Sequence, residues 1–375
     1  MNADRFWHGC NYPWSTDGHT IYYGLDFGDN IWGSHLGVST RQPEIERDFA
    51  SMAALGFTVA RWFLFGDGRA GIVYDDRGIP IGCDAHLFED VDAALEIGGR
   101  VGVRIAFVLL DHHWMFDGIP DVLADPASGR LVDAPLLGGR AHVLISERGR
   151  DALLARVIEP LVTRYGHSGS RADLGRHLFA IELMNEPDFV VREWSRHRHR
   201  RVSQPLRFDA LAELVTRLSA MVHASTGALS TIGCARLDHL TAWNDPRLGL
   251  DCVQLHTYPD TMHLHRDRDV YGIAAAALAS DLPVVLGEFP GDGPRQHPVH
   301  AHPPPWTLND YLEFALNAGY AGAWPWSFSG TDAYGRFPHD PLREFARRYP
   351  DLVNPLAHDA EATDRKITPR SPRVI

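Results

Sequence analysis

Two glutamates each lie at the end of a largely apolar segment of the chain. Glu186 stands in Asn185-Glu186-Pro187 after the apolar residues 178–184, and Glu288 follows the apolar residues 283–287. Two carboxyl groups can cleave an acetal, because one protonates the leaving oxygen while the other attacks or supports the carbon. The residues between them leave room for further strand–helix units. The pair therefore predicts acid-assisted cleavage of a glycosidic bond.

Short apolar segments alternate with helical patterns almost to the end of the chain. We predict strands at Phe6–Asn11, Thr58–Phe65, Arg104–Leu110, Leu178–Met184, Leu229–Gly233, Cys252–Leu255, Pro283–Gly287 and Gly322–Trp326. Helices are predicted near Pro43–Leu55, Ala85–Ile97, Glu147–Tyr165, Phe208–Ala224, Val270–Ala279, Leu308–Ala318 and Pro341–Arg348, with a short one at Leu237–Asn244. Such alternation is typical of parallel β–α units.

Eight units of this kind predict an α/β protein with a closed (β/α)8 TIM barrel, whose chemistry lies at the C-terminal ends of the strands. Both glutamates are expected at that end. A doubly wound open sheet is the alternative, but the Gly-x-Gly-x-x-Gly loop after its first strand is absent. We predict one catalytic domain over residues 1–353 and a polar tail over residues 354–375.

The composition of the chain indicates which kinds of binding partner and cellular location to expect. The chain has 375 residues and a formal net charge of −12, which argues against a nucleic-acid partner. No signal-peptide pattern and no apolar stretch of membrane-spanning length is seen, so we expect a cytoplasmic protein that does not bind a membrane. The scattered Cys10, Cys83, Cys234 and Cys252 are expected to be free thiols. The oligomeric state is not predicted.

Several long connections follow the predicted strands, where loops that contact a substrate belong. They are residues 12–42, 66–84, 111–146, 187–206 and 289–306. One of them contains a run of arginine and histidine, Ser195–Arg201. We interpret this run as a solvated loop.

The motifs at successive strand ends resemble those of clan A glycoside hydrolases, most like family 5, which contains endoglucanases and β-mannanases. The resemblance is carried, in order, by Arg61, Asn185-Glu186-Pro187, His256-Thr257-Tyr258, Glu288 and Trp324-Pro-Trp326-Ser327. It implies a retaining β-glycosidase that hydrolyses a β-glucoside, a β-mannoside or a related oligosaccharide by double displacement. A carbohydrate is then the partner, and no cofactor is implied.

The resemblance also implies roles for single residues. Glu186 would be the general acid/base and Glu288 the nucleophile, kept ionised by Arg61 and by the hydroxyl of Tyr258. Asn185 would hydrogen-bond the 2-hydroxyl of the sugar, and no family role matches Glu182. His256 and Tyr258 share one face of their strand and can point into the same site.

The aromatic and histidine candidates each have an alternative. Trp326 is the first choice for the aromatic floor under the sugar, with Trp324 as the alternative. An Asp-x-His pattern would select His113, whereas the Asn-Asn-Trp pattern of family mannanases would use both His112 and His113 and place Trp114 in the substrate cleft. Peripheral candidates for subsite walls are Tyr12, Trp14, Trp32, Trp62 and Phe63.

Two other functions fit parts of the sequence. The first is a carbohydrate-binding barrel without catalysis, although the full set of catalytic residue types is present. The second is a metal-dependent barrel hydrolase, but such enzymes need a His-x-His after the first strand. The first strand here has only His8, and His197-x-His199 lies in a later loop. No metal ligand is therefore assigned. The sugar, the linkage and the choice between endo and exo action stay open.

Overall fold

Eight parallel strands close into a barrel, which confirms the predicted fold. The computed structural model describes residues 6–15, 26–30, 34–124, 131–196, 198–258, 273–278, 280–291, 307–329 and 337–353. The barrel strands, in chain order, are β1 (Trp7–Asn11), β2 (Val59–Phe63), β5 (Arg104–Asp111), β8 (Leu178–Asn185), β9 (Leu229–Cys234), β10 (Val253–His256), β11 (Val284–Pro290) and β12 (Gly322–Trp326). The first and last strands pair with each other through Trp7 and Gly322, which closes the sheet.

Helices cover the outside of the barrel. Those described are α1 (Gln42–Ala54), α2 (Leu87–Val101), α3 (Ala141–Ile145), α4 (Glu147–Leu153), α5 (Glu159–Arg164), α6 (Ala172–Gly175), α7 (Phe208–Ser225), α8 (Leu308–Asn317), α9 (His339–Arg348) and α10 (Pro350–Val353). A π-helical turn, Leu154–Ile158, joins α4 to α5, so the predicted helix Glu147–Tyr165 is continuous but irregular. The longer helices bury apolar residues on one face, as Ile45, Phe49 and Met52 do in α1.

The barrel interior is layered. Toward the N-terminal end of the strands lies a buried apolar cluster made by Val59, Ala106, Phe179, Ala180, Val285 and Trp324. Two residues further along β2, Arg61 lies on the same inward face as Val59, because side chains alternate along a strand. The interior thus changes from apolar to charged toward the C-terminal ends of the strands, where the candidate site lies.

Some elements differ from the sequence predictions. The predicted helix Val270–Ala279 is wrong for the part that the structure describes, since residues 273–278 contain only a short 3-10 turn, Ala275–Ala277. Its run of alanines, Ala274–Ala277, gave a helical pattern without the apolar stripe that would anchor a helix. Residues 354–375, predicted as a polar tail, lie outside the described residues.

Two hairpins in the long connections were not predicted. They are β3 (Ile72–Tyr74) with β4 (Pro80–Cys83), and β6 (Ile119–Ala124) with β7 (Leu131–Leu137). The four cysteines are free, as predicted. Among the described helices, none has both the length and the apolar character needed to cross a membrane.

Candidate active site

Glu186 leaves β8 in a backbone conformation that aims its side chain over the barrel mouth. It has φ 49° and ψ 53°, and it is the one non-glycine residue with positive φ in the described ranges. A left-handed conformation is unfavourable for a residue with a Cβ and is found mainly where function requires it. Its amide donates to the carbonyl of Gly233, and Pro187 starts a 3-10 turn directly after it.

The surroundings of Glu186 favour the protonated acid. Burial, together with the negative charges of Asp111 and Asp188, raises its pKa to about 8. The side chain keeps 15% exposure, so it can reach a ligand in the cleft. Glu186 is therefore suited to donate a proton near neutral pH.

Glu288 lies opposite, on β11, and is held by two donors. Arg61 Nη1 donates to its Oε1 at 2.7 Å, and the Tyr258 hydroxyl donates to its Oε2 at 2.7 Å. Burial raises the pKa of Glu288, whereas the positive charge of Arg61 and the hydrogen bond from Tyr258 oppose that rise. The predicted contacts of Arg61 and Tyr258 with this carboxylate are thus present.

The two carboxyl groups lie side by side across His256. Nδ1 of His256 is 3.2 Å from Oε1 of Glu186 and 3.3 Å from Oε1 of Glu288. One oxygen of each glutamate lies within 4.8 Å of the other. Retaining glycosidases have carboxyl groups about 5–5.5 Å apart, whereas inverting enzymes need about 6.5–9.5 Å to fit a water. The spacing fits direct attack by one carboxylate.

Arg61 is fully buried, and each of its five N–H groups has an acceptor. It forms a bidentate pair with Glu182 at 2.7 Å for both contacts, and its remaining hydrogens reach Glu288 at 2.7 Å, Asn185 at 2.7 Å and Asn11 at 2.8 Å. Such a planar fork fixes the orientation of every carboxylate and amide that it contacts. Arg61 therefore couples the nucleophile candidate to Glu182 in the layer below.

Glu182 and Asn11 were missed as site residues. Glu182 also accepts from Gln254 Nε2 at 2.7 Å, and Asn11 Nδ2 donates to the carbonyls of Gly287 and Trp324. For Glu182 the available signal was an acidic residue inside an apolar strand, because a buried acid in a barrel needs a buried cation.

Close approach requires glycine at two of the neighbouring strand positions. A Cβ on Gly233 would lie 2.7 Å from Glu182 Oε1 and 2.8 Å from His256. A Cβ on Gly287 would lie 2.6 Å from Gln254 Oε1. These glycines leave the space that the polar layer fills.

Asn185 is fixed from both sides. Its Oδ1 accepts from Arg61, and its Nδ2 donates to Asp111 Oδ2 at 2.8 Å. Asp111 is also bonded by the backbone and by the ring of His113. Burial alone would raise the pKa of Asp111, but the charge and the hydrogen bonds of His113 hold that pKa below its usual range. The amide hydrogen of Asn185 that remains can reach a ligand hydroxyl.

The two histidines after β5 occupy different positions. Nδ1 of His112 is 3.8 Å from Glu186 Oε2, so His112 borders the glutamate pair, whereas His113 is held against Asp111. Burial lowers the pKa of His112 to about 3, which keeps this ring neutral.

The expectation that Trp114 lines the cleft is wrong: it is fully buried, and its indole donates to the carbonyl of Gly66. The 3-10 turn His112–Met115 rotates it away from the cleft.

The structure separates the two tryptophans of β12. Trp324 is fully buried in the lower core and donates to the carbonyl of Trp7. Trp326, one layer higher, is half-buried and packs edge-on against Trp14 and Phe63 at the barrel mouth. Trp326 is therefore the aromatic surface that can contact a sugar.

The peripheral candidates also divide. Trp14 and Phe63 lie beside Trp326, whereas Tyr12 and Trp62 are core residues that bond Asp48 and Asp26. Trp32 lies outside the described residues.

Three groups of described side chains bring possible metal ligands within 4.8 Å. They are Glu186 with His256 and Glu288, Asp111 with His112 and His113, and His35 with His86 and Glu89. In the first group the guanidinium of Arg61 lies 2.7 Å from Glu288, and this positive charge opposes a cation there. In the second, Asp111 already bonds His113 and Asn185.

Several known proteins that are similar to this chain are named mannanases or mannosidases. No family model matches the chain. A mannan endo-1,4-β-mannosidase of Mytilus edulis is 23% identical over 339 residues, covering 86% of this chain and 83% of that protein. A solved β-1,4-D-mannanase of Cryptopygus antarcticus superposes with a TM-score of 0.67 at 16% identity, covering 90% of this chain and 88% of that one. The solved β-mannanase of Mytilus edulis gives a TM-score of 0.64 at 18% identity, over 94% and 93% of the two chains.

The resemblance to clan A glycoside hydrolases is confirmed. The sequence relative and the solved structures are similar to this chain over nearly its whole length and share its barrel.

Proposed function

We propose that this chain is a retaining β-glycosidase acting on β-mannosides, with Glu186 as acid/base and Glu288 as nucleophile. The observation that carries the proposal is the glutamate pair, with oxygens within 4.8 Å and unequal surroundings. Glu186 has a pKa of about 8, while Glu288 faces the cation Arg61 and the donor Tyr258. Double displacement requires two carboxyl groups in unlike surroundings, one suited to donate a proton and one held by a fixed cation for attack.

In the first step Glu288 attacks the anomeric carbon on the face opposite the leaving group. The glycosidic C–O bond breaks as the new ester bond forms, and the proton of Glu186 passes to the departing oxygen. In the second step Glu186, now a carboxylate, takes a proton from water, and the water oxygen displaces Glu288. Two displacements return the original configuration.

The charge balance of the pair supports this sequence of proton transfers. Esterification of Glu288 removes its negative charge, which lowers the pKa of Glu186 and favours its action as a base in the second step. Arg61 and Tyr258 receive the carboxylate when Glu288 is released. Asn185 is positioned to donate its free amide hydrogen to the 2-hydroxyl, a bond that strengthens in the transition state.

The similarity to named mannanases supports the mannose configuration and the endo mode of the proposal. The Mytilus edulis relative is named an endo-1,4-β-mannosidase, so we propose β-1,4-linked manno-oligosaccharides as substrates. The products formed from mannohexaose separate the modes: internal cleavage gives mixed short oligosaccharides, whereas release of mannose alone would contradict endo action.

The test is hydrolysis of aryl β-mannoside, β-glucoside, mannobioside and cellobioside, and of β-1,4-manno-oligosaccharides. The variants are Glu186→Gln and Glu288→Gln, with exposed Glu159→Gln as the matched control. We expect Glu288→Gln to lose activity on all substrates. Glu186→Gln should lose at least about a hundredfold on oligosaccharides and less on aryl glycosides, whose leaving groups need little protonation.

Two outcomes would overturn the proposal. Quenching of tryptophan fluorescence by manno-oligosaccharides without any cleavage would favour a carbohydrate-binding barrel. Loss of activity in EDTA, restored by a divalent metal, would favour a metal-dependent hydrolase that uses Glu186, His256 and Glu288 as ligands.

A further inference from the structure

A loop beside the candidate site carries an excess of positive charge. Residues 192–205, between the turn after Glu186 and helix α7, contain the exposed arginines Arg192, Arg196, Arg198, Arg200 and Arg201. Glu193 is the single acidic residue of this segment, and the whole chain has a net charge of −12. We call residues 192–205 the arginine loop.

The charge of the arginine loop is not taken up by neighbouring carboxylates. In the part of the chain that the structure describes, none of the five guanidinium groups forms an ion pair, whereas Arg207 just beyond them pairs with Asp209. Glu193 accepts from the backbone amide of Phe208 at 2.9 Å, and Asp117 accepts from the amide and hydroxyl of Ser203. Exposed arginines without partners are available to an external anion.

The arginine loop is continuous with the Glu186 side of the cleft. The ring of His199 stacks on Phe116 at 4.4 Å, and Phe116 packs against His112 at 5.5 Å. His112 in turn lies 3.8 Å from Glu186. The backbone carbonyl of Arg201 accepts from the amide of residue 117 at 2.7 Å, which ties the loop to the connection after β5.

The position of the arginine loop determines which part of a bound substrate lies next to it. The acid must reach the glycosidic oxygen, so the leaving-group portion of the substrate lies on the Glu186 side. A guanidinium group binds carboxylate, sulfate or phosphate oxygens through paired N–H donors.

We propose that the arginine loop binds an anionic group on the leaving-group side of the substrate. The substrate class is then a β-mannosyl oligosaccharide that carries a carboxylate, sulfate or phosphate at or near its reducing end. The inference rests on the proposed function and adds to it the charge of the preferred substrate.

Manno-oligosaccharides altered at the reducing end provide a matched test. The alditol and the aldonate of one oligosaccharide are both open-chain at that end and differ by a hydroxymethyl group against a carboxylate. We would measure kcat/KM for both, and for the same oligosaccharide with a 6-sulfate or 6-phosphate on the reducing-end sugar, which distinguishes the three anions. The variant Arg198→Gln/Arg200→Gln/Arg201→Gln is compared with Arg156→Gln/Arg343→Gln/Arg347→Gln, which removes equal charge from exposed positions on the outer helices.

The wild type should prefer at least one anionic substrate over the alditol. An exposed charge pair contributes a factor of about two to five, so the preference should fall about tenfold in the arginine-loop variant and stay unchanged in the control variant. It should also shrink as ionic strength rises, because salt screens exposed charges.

Three outcomes would overturn the inference. The first is equal kcat/KM for alditol and all anionic substrates in the wild type, and the second is equal loss of preference in the two triple variants. The third is unchanged preference in the arginine-loop variant together with loss of self-association, which would assign the loop to a contact between copies of this acidic chain. Turnover of the alditol that depends on Glu186 and Glu288 would still support the proposed function in each case, whereas absence of turnover would refute that function instead.

Discussion

Replacing Arg61 with lysine tests whether one guanidinium organises the glutamate pair. Arg61 uses all five N–H groups, two on Glu182 and one each on Glu288, Asn185 and Asn11. A lysine ammonium has three donors and no planar fork, so at least two of these buried acceptors lose their partner.

The expected loss follows from that count. A buried polar group left without a partner costs about 1–3 kcal/mol, so Arg61→Lys should lower the free energy of unfolding by roughly 2–6 kcal/mol. Charge is conserved, so the effect reports geometry. Since the contact of Arg61 with Glu288 at 2.7 Å is also disturbed, kcat should fall as well.

Urea unfolding followed by tryptophan fluorescence measures the first effect, and hydrolysis of a manno-oligosaccharide measures the second. The exposed Arg156→Lys variant is the control and should stay within about 0.5 kcal/mol of the wild type. If Arg61→Lys has the same free energy of unfolding as the control variant and retains the wild-type kcat, the five contacts do not organise the site and the reasoning fails.

Three further predictions follow from single residues. Asp111→Asn removes the largest charge contribution that raises the pKa of Glu186, so the alkaline limb of the kcat/KM profile should move to lower pH by roughly one unit, and an unmoved limb would exclude this contribution. His8 is fully buried, and burial lowers its pKa to about 3, so protonation favours the unfolded chain as pH falls below 6.5. Between pH 7 and pH 5 the wild type should therefore lose about 2 kcal/mol more free energy of unfolding than the His8→Phe variant, measured by urea unfolding at both pH values. An equal loss in both proteins would contradict this prediction. Trp326→Ala should raise KM about tenfold, since covering about 60 Å2 of ring face at roughly 25 cal/mol/Å2 contributes ~1.5 kcal/mol, and an unchanged KM would remove Trp326 from the sugar site.

The fold could be predicted because the strands of a barrel are short, apolar and regularly spaced. A strand covered on both faces shows an uninterrupted apolar run, and the residue that ends the run marks the C-terminal end of the strand. Glu186 and Glu288 were found in this way, and Tyr258 was found through the family resemblance. The structure brings all three to one end of the barrel. The helix expected at Val270–Ala279 failed in its described part, because alanine-rich segments have helix propensity without a stripe to pack.

The residues missed inside the site depended on contacts between distant strands. Glu182 and Asn11 lie in predicted strands, but their role appears only when β1, β2 and β8 place them around Arg61. Trp114 was misplaced because a short 3-10 turn sets its direction, and a turn of that length has no periodic signal. Trp324 and Trp326 share a face, so only depth in the barrel separates them.

The most direct test of the central claim is to trap the glycosyl-enzyme. A 2-deoxy-2-fluoro-β-mannosyl fluoride reacts in the first displacement, and its fluorine at carbon 2 slows the second, so the ester accumulates. We predict that mass spectrometry of the intact protein shows one added glycosyl group, and that peptide mapping places it on Glu288. A label on another residue, or hydrolysis of mannosides with an inverted product and no label, would contradict the account.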